Sequence, residues 1–119
     1  MYVELHCHSA FSFLDGASLP EQLALTASQL GYPALALTDH NGLYGSMAFA
    51  HSCQKLGLRA ITGAELTLLD DSHVTLLAET PEGYANLCRL ITEAGRVPVE
   101  RDTLYHAVTR NEDTFTVAV

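Results

Sequence analysis

Ala34-Leu35-Ala36-Leu37-Thr38-Asp39-His40-Asn41-Gly42 decides the fold. Five residues of low polarity run into a polar turn. Continuous apolar runs of this length suit strands buried on both faces, as in a parallel sheet. Helical patterns flank the run on each side. Upstream, Leu23, Ala27 and Leu30 mark one helix face, and Gly31 and Pro33 close the helix. The start is expected at Ser18-Leu19-Pro20-Glu21, with Ser18 as cap, Glu21 reaching back and Pro20 in the first turn. Downstream, a helix is expected from Leu43 to Leu56, with Phe49, Cys53 and Leu56 on one face and Gly57 as the stop.

The same alternation extends outward. Tyr2 to Cys7 reads as a strand at the amino end, and Arg59 to about Leu69 as another. Asp70-Asp71-Ser72 is a turn, and His73 to Ala78 a fourth strand. Pro81 opens a helix with Tyr84, Leu87, Cys88 and Ile91 on one face, ended by Gly95. A short helix within Arg101 to Arg110 and a terminal strand, Phe115 to Val119, complete the pattern. Alternating strands and helices imply an α/β fold with a mostly parallel sheet, whose ligands gather at the carboxyl ends of the strands. No Gly-x-Gly-x-x-Gly supports a dinucleotide.

His6, His8, His40 and Glu65 fall at those ends. His6 and His8 close the first strand, and residues two apart on a strand share a face. His40 follows the second strand, Glu65 lies late in the third, and His73 opens the fourth. Imidazole and carboxylate together suit zinc, manganese or iron. A lone His-x-His pair is usually two histidines on a half-exposed strand; with His40, Glu65 and His73 beside it, a metal site is the better account. Asp15, before Gly16, reads by itself as a turn residue. Asp39 fits a helix cap or a supporting partner of the ligands better than a ligand. His51 and His106 fit the surface. Ser9 and Ser12 lack the strand-turn-helix setting of a hydrolase nucleophile.

Composition bounds the rest. The 119 residues suit one domain, with 48% hydrophobic and 17% charged residues. The formal net charge of −8 disfavours nucleic-acid binding by electrostatics alone. Cys7, Cys53 and Cys88 form no Cys-x-x-Cys pair and fit core packing, and no disulfide framework is expected. No membrane span or secretory signal is evident, so a cytoplasmic location is expected.

Taken as a set, several segments resemble one family. They are Leu5-His6-Cys7-His8-Ser9, Ser12-Phe13-Leu14-Asp15-Gly16-Ala17, Ala36 to Gly45, Ile61-Thr62-Gly63-Ala64-Glu65, His73 to Ala78, and Gly83-Tyr84-Ala85-Asn86-Leu87. The chain is similar to the N-terminal PHP (polymerase and histidinol phosphatase) domain of bacterial DNA polymerase III alpha subunits. Tyr84 to Leu90 is nearest the error-prone branch. The resemblance implies the N-terminal part of a distorted (β/α)7 barrel with up to three divalent metals, zinc, manganese or iron. By motif, His6, His8 and Glu65 match ligands of one metal. Glu65 would bridge to a second, with His73, and Asp15 and His40 match ligands of a third. Family members with a full set are phosphoesterases, some of them 3′–5′ exonucleases. The family's later ligands, a cysteine or histidine and then an aspartate-x-histidine pair, do not occur within these residues. A single-domain fragment is therefore expected, its DNA contact made through a parent polymerase, its apolar strand edge covered by self-association or by other domains of that parent. The alternative is a non-catalytic, metal-stabilised structural or protein-interaction module.

Overall fold

The computed structural model of the chain describes residues 1–100 and the backbone of Phe115–Ala118. The elements in chain order are α1 (Pro20–Gln29), β1 (Ala34–His40), α2 (Ser46–Leu56), β2 (Arg59–Thr67), β3 (His73–Ala78), α3 (Pro81–Ala94) and β4 (Phe115–Ala118). The helix expected within Arg101 to Arg110, and His106 with it, lie outside the described residues. The strands form one sheet in the order β1-β2-β3-β4.

The α/β class is as the sequence implies, but the strand directions are mixed. β1 and β2 pair in parallel, with α2 as the crossover. β2 and β3 are antiparallel, as are β3 and β4. The reason for the first reversal is the length of the connection. Only residues 68–72 join β2 to β3, and a parallel crossover needs about a dozen. Asp71 takes a left-handed conformation there (φ 60°), and the Leu68 amide donates to the Ser72 carbonyl at 2.8 Å to close the turn.

The first expected strand is not a regular one. The amino-terminal segment lies parallel to β1 and touches it through a single bridge, Glu4 with Leu35. The Ala36 amide donates to the Glu4 carbonyl at 2.9 Å, and the Thr38 amide to the Cys7 carbonyl at 2.8 Å. Three steps on the leading segment thus span two on β1. One residue is extra, which is the geometry of a bulge. The Glu4 carboxylate takes up the slack by accepting the His6 amide at 3.0 Å. The Tyr2 hydroxyl donates to the same side chain, which holds the Glu4 carboxyl below its ordinary range.

Helix starts also shift. α1 opens at Leu19, not Ser18, and its return contact comes from Gln22, not Glu21: Gln22 Oε1 accepts the Leu19 amide at 2.8 Å. The Ser18 carbonyl is committed elsewhere, accepting the Ala10 amide. α1 buries Ala24 and Ala27, while Leu30 is exposed. α2 begins three residues later than Leu43, after a loop in which Asn41 is left-handed (φ 51°). α3 starts as expected, with the Thr80 hydroxyl accepting the Gly83 amide ahead of Pro81.

The register and the core place every described helix on one side of the sheet. Leu35 and Leu37 pack with Ala24, Ala27, Phe49 and Cys53 of α1 and α2. Ala64, Leu66, Val74 and Leu76 pack with Leu87 and Leu90 of α3. Alternate residues of the same strands, Thr38, His40, Gly63, Glu65, Thr75 and His73, therefore share the opposite face. Gly63 sits at the centre of that face. A Cβ there would lie 2.5 Å from the Leu76 carbonyl oxygen and 2.9 Å from Thr38 Cγ2.

Backbone cannot yield to such a contact without moving the strand. Gly63→Ala is expected to lower stability by about 1–3 kcal/mol, the usual range for overpacking. Urea unfolding of the metal-free chain checks this; an unchanged midpoint would contradict the close β2–β3 approach.

Candidate metal centre

Glu65 ends up at the centre of the site because of its register. It pairs with His40 across the parallel ladder and with Thr75 across the antiparallel one. Its side chain is nearly covered, at 6% exposure. Around it stand four histidines from three segments: the amino-terminal segment, β1 and β3. His6 Nε2 contacts Glu65 Oε2 directly. His8 Nε2 lies 3.4 Å from Oε2, His40 Nε2 3.1 Å from Oε1, and His73 Nδ1 3.4 Å from Oε1. The imidazole rings follow one another in a chain, with centroids 5.1 Å apart for His6 and His8, 4.5 Å for His8 and His40, and 5.4 Å for His40 and His73.

Asp15 joins from the loop of residues 9–16. Its Oδ2 lies 2.7 Å from His8 Nδ1 and 2.8 Å from His40 Nε2. That loop is folded tightly: the Ser12 amide donates to the Ser9 carbonyl, and those of Asp15 and Gly16 to the Ser12 carbonyl. Leu14 is left-handed (φ 65°). A Cβ on Gly16 would lie 2.0 Å from the Ser9 carbonyl oxygen, so glycine is what lets the loop close there.

All six ligand candidates from the sequence are thus brought together. They form three overlapping groups, each with one donor atom per residue within 4.8 Å of the others: His6, His8 and Glu65; His8, Asp15 and His40; and His40, Glu65 and His73. The antiparallel turn is what brings His73 in. It places the start of β3 beside the end of β2, where Thr67 Oγ1 and His73 Nδ1 are 3.3 Å apart. Asp39 joins none of the groups. It is buried at 2% exposure on the other side of the strand, bonded to Ser9 and Ser12, and α2 is preceded instead by Gly45. His51 is exposed, as expected. Cys7 is half-buried against the core formed with α1 and α2, and burial first, then Glu4 and Asp39, push its thiol up. Cys53 is fully buried.

Three supporting residues escaped the sequence. Ser9 and Ser12, weighed only as nucleophiles, are buried anchors of the loop. Asn41 ties the ends of β1 and β2 together: its amide donates to the Glu65 carbonyl at 2.7 Å and its Oδ1 accepts the Thr67 amide at 3.0 Å. Small polar residues beside ligand candidates were the only signal, and it is a weak one.

The donor set fits divalent metals. Among the described residues, each ion pair of Glu65 and Asp15 is with histidine. His8 Nε2 is buried and makes no hydrogen bond there. A buried ring nitrogen without a partner costs free energy unless something else fills its lone pair. His8 Nδ1–H donating to Asp15 leaves Nε2 as the lone-pair nitrogen, the orientation a ligating imidazole needs.

The PHP domain family model matches residues 4–115, and the chain belongs to that family. A curated relative, the error-prone DNA polymerase of Symbiobacterium thermophilum, is 56% identical over 93 residues, which cover 78% of this chain. The chain spans only 9% of the length of that relative. Among solved structures, an amidohydrolase from Chromobacterium violaceum aligns with a TM-score of 0.63 at 26% identity, covering 79% of this chain and 33% of that one. A two-domain protein of Bacteroides vulgatus containing a predicted PHP-like metal-dependent phosphoesterase aligns with a TM-score of 0.59 at 22% identity, covering 78% and 32%. No helix among the described residues is long and apolar enough to cross a membrane.

Proposed function

We propose that these 119 residues are the N-terminal portion of one PHP domain in an error-prone DNA polymerase, and that the site is a metal-dependent phosphoesterase centre of the 3′–5′ exonuclease type. The convergence of His6, His8, His40 and His73 on the buried Glu65 carries this reading. Its ligands are His6, His8, Asp15, His40, Glu65 and His73, for zinc, manganese or iron. A neutral imidazole offers one lone pair, so His8 and His40 each serve one ion. That favours His6, His8 and Glu65 on the first, Glu65 and His73 on the second, and Asp15 and His40 on the third. Glu65 spans two because its two oxygens face different histidines.

Bound divalent ions would supply Lewis-acid activation of a phosphoryl oxygen and of water. The chain's own part is orientation. Glu65 fixes the spacing, Asp15 sets the His8 tautomer, and the ends of β1 and β3 and the segment bridged to β1 hold the imidazoles. DNA would enter as the substrate of the parent protein, which works in replication and damage-tolerant synthesis in the cytoplasm. The exposed Phe13, Leu14, Tyr44 and Met47 support contact with further domains of that parent or with another copy. A purely structural metal module is the second reading. It is favoured by the number of donors among the described residues, since six cannot complete three coordination shells.

Metal content of the purified chain separates the site from chance. The wild type is expected to retain zinc or manganese through gel filtration, and the double variant His8→Ala with Glu65→Gln to lose most of it. Equal metal in both would refute the assignment. Protons compete with metal for imidazole, whose reference value is about 6.5, so manganese affinity measured by calorimetry should fall as pH is lowered through roughly 6. A flat profile would exclude histidine ligands. Hydrolysis of p-nitrophenyl phosphate should be weak for the 119 residues. It should be strong and metal-dependent for a longer chain carrying the rest of the domain, and lost in that chain with Glu65→Gln. An inactive longer chain that still binds metal would favour the structural module.

A further inference from the structure

Asp39 occupies a position where a core side chain is due. It continues the helix-side face that Leu35 and Leu37 begin, yet it is a carboxylate at 2% exposure. Its partners are all neutral. Oδ1 accepts the Ser9 amide at 2.6 Å and the Ser12 hydroxyl at 2.7 Å. Oδ2 accepts the Ser9 hydroxyl at 2.8 Å. Among the described residues it makes no ion pair with Lys, Arg or His.

Each of these bonds joins a neighbour of one ligand candidate to a neighbour of another. Ser9 follows His8, and Asp39 precedes His40. Ser12 stands at the turn that delivers Asp15, and its hydroxyl oxygen also accepts the His40 amide at 3.0 Å. The Ser9 hydroxyl oxygen accepts the Phe11 amide at 3.2 Å in the same loop. The result is one rigid unit carrying His8, Asp15 and His40. A buried ionised carboxylate is costly, and three neutral donors offset only part of that cost. A negative charge becomes useful where a cation is to be held close by.

Resting on the metal-centre reading above, we propose that Asp39 is a positioning residue for Asp15 and His40, the pair given there to the third ion. Its hydrogen bonds fix the separation of the two side chains, and its buried charge raises that pair's affinity for a divalent cation. The other two ions, which take Glu65 from β2, depend on it less.

Calorimetry with manganese on the full chain tests this. Asp39→Asn keeps the shape, removes the charge and replaces one of the two acceptor oxygens by a donor. Its expected effect is a loss of about tenfold or more in affinity at one class of site, the range found when supporting partners of ligands are changed. The remaining sites should hold within about twofold of the wild type. In an Asp15→Ala background the same substitution should add nothing, because the group it serves is already broken. A uniform weakening of all sites, or a full additional loss in the Asp15→Ala background, would mean a merely structural role and overturn the proposal. Circular dichroism in chelator reports whether each variant folds. If Asp39→Asn does not fold, Ser12→Ala, which leaves the charge and removes one bond, takes the same cycle with the same expected result. A wild type that binds no manganese overturns the metal-centre reading and the role of Asp39 together. A wild type that binds, with both variants unchanged, overturns only the role of Asp39.

Discussion

A buried carboxylate whose ion-pair partners among the described residues are all histidines constrains the whole of this molecule. Glu65 sits in the body of the sheet, where leaving an ionised group unpaired is far more costly than any single hydrogen bond can offset. Its described ion pairs are all to histidines. Imidazoles can satisfy it as partners, or stand with it as co-ligands of a cation. Either arrangement needs all four rings on one face and at one end of the sheet. Strand directions, turn lengths and the bulge beside β1 can be understood as ways of meeting that demand.

The sheet meets it by dividing labour between its faces. One face is apolar and takes α1, α2 and α3, which supplies the burial that holds the strands together. The other carries Thr38, His40, Gly63, Glu65 and His73 in register. Polar groups on that second face stay rigid because their strands are anchored from behind. Sites built on strand ends in this way tolerate little drift, which suits a cluster of donors that must lie within a few ångströms of one another.

A second buried carboxylate, Asp39, lies on the apolar side and ties the loop of residues 9–16 to the end of β1. The two acidic residues thus bracket β1 from opposite faces. One gathers histidines, and the other gathers serines. The chain carries a net charge of −8, and two of the carboxylates counted in it lie in the interior. Divalent cations are the natural counterweight, and the three overlapping donor groups are of the type that could hold them.

Much of this was legible in the sequence by itself. The apolar run Ala34 to Thr38, the breakers Gly31 and Gly57 and the Pro81 start define β1, the ends of α1 and α2, and α3, because hydrophobic period and backbone stereochemistry act locally. Five of the donor candidates were legible too, each a metal-binding residue type beside an expected strand end, whereas Asp15 read by itself as a turn residue and entered only through the family resemblance. What the sequence could not decide was set by contacts between distant segments. The bulge opposite β1 depends on how Glu4 and Cys7 meet Ala36 and Thr38. The α1 cap moved to Leu19 once the Ser18 carbonyl was taken by Ala10. Ser9, Ser12 and Asn41 show their roles only when the loops close over the strand ends. The mixed strand directions stand between the two cases: the five-residue connection at 68–72 forbids a parallel return, but only the folded sheet shows that this reversal is what carries His73 to Glu65.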